Sequence, residues 1–216
     1  MKNIAVILSG CGNRDGSELQ ETLSLLLSLD RHGIGYQCFA PRTSFHVVSY
    51  LGQPVETGEQ RDLFAEAARI ARGNILDLAL YEASQYDALA LPGGMGAARN
   101  LSTYAFDGDR MSVLPEVERA ILSTYQLGHP VAAMCIAPIV LAKVLGPMHV
   151  TLTLGHQCDA SRVAETLGAV HRDCEPAQAV VDSQHRVVTT PAYMVATRIS
   201  EIFDGAEALV QGLLSL

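Results

Sequence analysis

The chain reads as an α/β fold, a mostly parallel sheet covered by helices on both faces. Short apolar runs alternate along it with longer segments of helical periodicity, the order expected of strands joined by crossover helices. Two of those runs, "DALAL" and "VAAM", are apolar almost without a break, as strands buried on both faces should be. At 216 residues the chain suits one domain, 1–216, large enough to bury roughly 70% of the surface its unfolded form exposes. No internal repeat, low-complexity tract or linker divides it.

"KNIAVIL" is the first strand, and "SELQETLSLLLSLDRHG" a helix with Ser17 as N-cap, Gln20 closing a capping box and Gly33 at its end. "IGYQCFAP" is the second strand. The long connection over residues 41–86 contains one clear helix, "EQRDLFAEAARIARG", with Leu63, Phe64, Ala67, Ile70 and Ala71 on one face. "DALALPGG" is a buried strand entering a glycine turn, and "PEVERAILSTYQLGHP" a helix leading to the "VAAM" strand. A short helix follows, opened by Pro138 and carrying Ile139, Val140, Leu141, Val144 and Leu145. "HVTLTLG", the helical "ASRVAETLGAV", a hairpin-like pair "AQAVVDS" and "RVVTTPA", and a closing helix complete the chain.

Composition removes several function classes. The 15 Lys and Arg against 23 Asp and Glu give a net charge of −8, the wrong sign for a phosphate-binding surface, so no nucleic-acid partner is expected. The longest uncharged apolar run, residues 131–142, contains a proline and falls well short of the roughly 18 residues that span a bilayer, so no membrane partner is expected either. Five cysteines, an odd number without C-x-x-C spacing, argue for free thiols in a reducing compartment and against a zinc cluster. The apolar run after Met1 is too short for a signal-peptide core, and the expected location is cytoplasmic.

Chemistry is expected at the carboxyl ends of the strands, where open α/β sheets bind ligands. Three turns fall there: "SGCGNRDGSE", "LPGGMGAARN" and "AMCIAP". Cys135 stands at the turn between its strand and the Pro138 helix, next to unpaired helix amides that stabilise negative charge. Glu18 lies in the first turn of the first helix near the same edge, and Gly93 and Gly94 are placed to turn backbone N–H groups into the crevice as an oxyanion site requires. Each feature has a plainer reading: a buried cysteine is often a small hydrophobe, and an acid in a first helical turn is often a dipole complement. Their meeting at one edge raises the chemical reading above the plain one. Cys11, in "GCG", is either a small residue in a tight turn or a thiol facing Cys135, and Arg99 and Asn100 either meet an anionic group or begin a helix.

"SGCGNRDGSE", "ARIARGNI", "PGGMGAARNLS", "MCIAP" and "VVTTPAYM", in this order across nearly the whole chain, resemble the ElbB family, also called enhancing lycopene biosynthesis protein 2 or sigma cross-reacting protein. That family is a branch of the ThiJ/PfpI superfamily with a class I glutamine amidotransferase-like fold. The resemblance implies a flavodoxin-like three-layer sandwich with a nucleophile elbow at Cys135. It implies an acid at Glu18 hydrogen-bonded to that thiol, an oxyanion site from the Gly94 and Ile136 amides, and a homodimer. The chain departs from PfpI-type proteases, which place His directly after the nucleophile where this one has Ile136. It departs from glutamine amidotransferases too, since none of its seven histidines has Glu two residues on. His156 falls where some members of the superfamily carry a catalytic-site histidine. The expected activity is that of a glyoxalase with no metal or organic cofactor, converting a small aldehyde, glyoxal or methylglyoxal, to the 2-hydroxy acid through a Cys135 hemithioacetal. The alternative from another class is a regulatory or redox-sensing protein linked to isoprenoid metabolism.

Overall fold

The computed structural model describes residues 1–216. Its strands are β1 (Asn3–Ile7), β2 (Gly35–Ala40), β3 (Ser44–Val48), β4 (Glu56–Asp62), β5 (Ile75–Asp77), β6 (Ala88–Leu91), β7 (Val131–Met134), β8 (Thr151–Leu152), β9 (Val170–His171), β10 (Val180–Asp182) and β11 (Val187–Thr190). Its α-helices are α1 (Leu19–Arg31), α2 (Leu63–Ile70), α3 (Met95–Arg99), α4 (Tyr104–Asp107), α5 (Pro115–Gln126), α6 (Pro138–Leu145), α7 (Asp159–Thr166) and α8 (Ile199–Leu214).

Seven strands form one sheet in the order β10, β11, β7, β6, β1, β2, β5. Every neighbouring pair is parallel except β10 with β11, which returns as the antiparallel hairpin that "AQAVVDS" and "RVVTTPA" indicate. β1, β6, β7 and β11 are buried at nearly every position, which is why they read as unbroken apolar runs. α1 packs against α8 and α2, and α6 against α5 and α7, so two helical layers enclose the sheet. One apolar cluster runs through these layers, from Ile4 of β1 to Leu213 of α8. No helix is long and apolar enough to cross a membrane.

The order places a switch point between β1 and β6. After β1 the chain steps outward to β2 and β5, then crosses back to β6 and steps outward the other way. Loops at the carboxyl ends of β1 and β6 therefore diverge and leave a crevice, with the end of β7 beside it.

Three expectations need correction. The connection over residues 41–86 holds, besides α2, a separate two-stranded hairpin of β3 and β4 and the short edge strand β5. All seven residues of β4 are exposed, so it lacks the alternation that betrays a strand. In "HVTLTLG" only Thr151 and Leu152 pair, with β9 in a separate two-stranded sheet. The N-cap of α1 is Glu18 and not Ser17, whose hydroxyl instead accepts the Ser9 amide at 2.9 Å.

Candidate active site

Cys135 ends β7 with φ at +59°, a left-handed conformation that costs a non-glycine residue of order 1–3 kcal/mol and persists only where its surroundings enforce it. Two constraints do so. The Cys135 amide donates to Thr190 O at 3.0 Å, continuing the β7–β11 ladder, and Pro138 starts α6 three residues later. The turn lifts the side chain out of the sheet edge, beside the Gly94 and Ile136 amides, which favour negative charge on the sulfur. The residue remains 8% exposed. The turn after β7 falls at Cys135, as the sequence indicates.

Gly94 begins α3 with φ at +98°, and a side chain there would run into the Gly16–Glu18 backbone. Gly93 faces the reactive groups directly: a Cβ would collide with the Cys135 Cβ and the Glu21 carboxyl. Its carbonyl accepts the Glu18 amide at 2.9 Å. These crowded contacts lock the β6 turn against the start of α1.

The carboxyl beside the thiol is that of Glu21, not of Glu18. Glu18 folds its carboxylate back over its own helix, accepting the Glu21 amide at 2.6 Å, as a capping residue does. The helix therefore begins at Leu19, and the residue that points from it into the sheet edge lies three positions further on. Glu21 has no exposed surface, and its Oε2 and the Cys135 Cβ crowd the same point over Gly93, which sets the carboxyl beside the thiol. Its Oε1 accepts the Tyr193 amide at 3.3 Å, while Oε2 has no hydrogen-bond partner. Tyr193 is presented by the turn after β11, in which Ala192 has φ at +43°.

Burial pushes the Glu21 carboxyl up to about 7, with Glu18 nearby adding to the rise and the hydrogen bonds from Cys135, Tyr193 and Gly93 opposing it. Burial, and then the Glu21 charge, push the Cys135 thiol well above the usual range; the Gly94 and Ile136 amides pull the other way without prevailing. A resting thiolate sustained by helix amides is thus the wrong picture. The two groups titrate as a unit that holds at least one proton through neutrality, and an ionised Glu21 is a base poised near pH 7.

A cavity of about 460 Å³ opens over the thiol. Glu18, Gly94 and Ile136 line it, together with Asn13, Met95, Tyr104, Cys158, Tyr193 and Met194. His156 does not: its side chain is 57% exposed and pairs with Glu175 at 3.3 Å. Cys11 does not line it either, and its charged neighbours are Glu66, Arg69, Asp15 and Glu18. The thiol that shares the cavity with Cys135 is Cys158, the N-cap of α7, a loop residue with no sequence pattern to mark it. Asn100 braces the β1–α1 loop, donating to Ser9 O at 2.9 Å and Asp15 O at 2.7 Å. Arg99 is paired with Glu56 and lies over the Phe106 ring, away from the thiol.

No family model matches the chain. It is 43% identical over 224 aligned residues to the human glutamine amidotransferase-like class 1 domain-containing protein 3, mitochondrial, covering 99% of this chain and 82% of that protein. It is 40% identical to the rat ES1 protein homolog, mitochondrial, covering 99% and 83%. A crystal structure of an isoprenoid biosynthesis protein with an amidotransferase-like domain, from Ehrlichia chaffeensis, superposes with a TM-score of 0.90 at 35% identity over 99% of both chains. ThiJ/PfpI and DJ-1 proteins of lower identity share the fold alone. The relatives' names correct the cytoplasmic location expected from the sequence: the curated proteins it matches are mitochondrial.

Proposed function

We propose, from the premise that the chain belongs to the ElbB family of the ThiJ/PfpI superfamily, that it is a cofactor-independent glyoxalase in which Cys135 is the nucleophile and Glu21 the general base. The observation that carries the reading is a left-handed Cys135 turn with a fully buried carboxyl beside it, both opening into one cavity. An aldehyde entering the cavity meets the thiol; Glu21 takes the thiol proton as the sulfur bonds to the aldehyde carbon, and the carbonyl electron pair moves to oxygen. The Gly94 and Ile136 amides face that developing oxyanion, which gains a proton to give the hemithioacetal. Glu21 then removes the hydrogen on that carbon and returns a proton to the neighbouring one, through an enediol, leaving a 2-hydroxyacyl thioester. Water cleaves the thioester, the sulfur leaves with its electron pair, and a proton returns to it. The net change is addition of one water to a 2-oxoaldehyde, with no external oxidant or reductant.

The redox-sensing alternative needs an accessible, acidic thiol. Cys135 is 8% exposed and its thiol is pushed up, so the site favours proton transfer in response to a bound substrate over direct capture of peroxide. The test is lactate formation from methylglyoxal. Cys135→Ala should abolish it, and Glu21→Gln should lower it by roughly 10²–10⁴-fold, the usual contribution of a positioned base. Wild-type turnover should fall as the pH drops below about 7, where Glu21 gains its proton. Lactate formation that survives Cys135→Ala would remove the reading.

A further inference from the structure

The cavity is larger and more apolar than a three-carbon substrate fills. Its volume of about 460 Å³ equals the space of about fifteen waters at roughly 30 Å³ each. It also lies within the roughly 300–1,000 Å³ of sites that enclose drug-sized ligands. Methylglyoxal has only five non-hydrogen atoms. The walls that would remain empty around it are Met95, Tyr104, Ile136 and Met194, which offer apolar surface and, in the two methionines, side chains that adapt to irregular shapes.

Charge narrows the class further. None of the residues lining the cavity is Lys, Arg or His, whereas Glu18, Glu21 and Asp159 all line it. Arg162, whose partner Asp159 lines the cavity, is exposed and already paired with it at 2.8 Å. A carboxylate or phosphate on the substrate would enter an acidic, low-dielectric space with no cation to meet it.

We infer that the cavity selects an uncharged 2-oxoaldehyde carrying an apolar body of about aryl size, and rejects anionic ones. This rests on the glyoxalase reading for its chemistry, which is unchanged: phenylglyoxal plus one water gives mandelate. The shape and charge of the cavity do not depend on turnover and are tested separately.

Two measurements form the test. In the first, Cys135 is alkylated with neutral iodoacetamide, anionic iodoacetate and apolar N-phenyl iodoacetamide, each rate being followed at the Cys135 peptide and divided by that of N-acetylcysteine. The neutral-to-anionic ratio should exceed that of the free thiol at least tenfold, with the phenyl reagent fastest. Met95→Arg, at a position 36% exposed, should restore much of the iodoacetate rate by supplying the missing cation. In the second, kcat/KM for phenylglyoxal should exceed that for methylglyoxal at least tenfold, and 4-carboxyphenylglyoxal should fall below both. Iodoacetate reacting at the free-thiol ratio, or the carboxylated and plain phenyl substrates turning over equally, overturns the inference. The alkylation preferences without turnover of any 2-oxoaldehyde would sink the glyoxalase reading and leave the ligand class standing.

Discussion

Replacing Glu21 by Gln should stabilise the protein at pH 8 and do little at pH 5. Glu21 has no exposed surface, and its carboxyl stands at about 7 against an ordinary value of 4.5. The folded form therefore binds the proton more tightly than the unfolded chain does. Between those two values the folded protein keeps a proton the unfolded chain has released, so stability is full below about pH 4.5 and falls as the pH rises through 7. The whole loss, at about 1.36 kcal/mol per pH unit, is about 3 kcal/mol. Most of that loss falls between pH 5 and pH 8. A Gln of the same shape does not ionise and escapes that cost. With roughly 2–4 °C per kcal/mol for a chain of this size, the gain in melting temperature from Glu21→Gln should be roughly 5–11 °C larger at pH 8 than at pH 5. Thermal unfolding of both proteins by circular dichroism across pH 5–8 measures it directly. A difference between the two proteins that stays constant over that range would refute the picture of a buried carboxyl ionising near neutrality beside the thiol.

Glu18→Ala should act in the opposite sense, lowering stability by about 1 kcal/mol at pH 8 because it removes the N-cap of α1; stabilisation there would mean that Glu18 is the strained acid after all. Gly93→Ala should lower stability by about 1–3 kcal/mol and slow alkylation of Cys135, since the new methyl group meets both the cysteine and Glu21; a variant that melts and alkylates like wild type would show the turn to be looser than described. We also propose a homodimer using the exposed stripe Leu19, Leu23 and Leu27 of α1, so that sedimentation at micromolar concentration should give twice the 23.1 kDa chain mass and Leu23→Asp should return it to one; a monomeric wild type would defeat this.

The sheet was legible because its strands are buried on both faces and advertise themselves as apolar runs, and because glycine and proline mark where they end. The turn at Cys135 and the glycine turn at Gly93 and Gly94 followed from those markers, while the Ile136 amide came only with the family resemblance. Segments without a buried face escaped: β4 is polar throughout, and β5 is only three residues long. Cys158 and Tyr193 reach the cavity from loops after β8 and β11, and local pattern does not say where a loop returns in space.

The misplaced acid has a more specific cause. α1 carries leucines on two faces: Leu25 and Leu29 are buried, while Leu19, Leu23 and Leu27 are exposed. Apolar periodicity alone therefore does not say which face meets the sheet, and Glu18, nearest the helix start, reads as the acid at the site. The buried stripe, followed backwards by four positions from Leu25, arrives at Glu21, a charged residue on an apolar face. An acid at a cap, such as Glu18, strengthens its helix. An acid at Glu21 weakens the fold by about 3 kcal/mol once ionised, with Oε2 left buried and without a hydrogen-bond partner. A protein that merely needed to fold would be more stable with Gln or Leu there, so the destabilising carboxyl is the one whose presence calls for a chemical explanation.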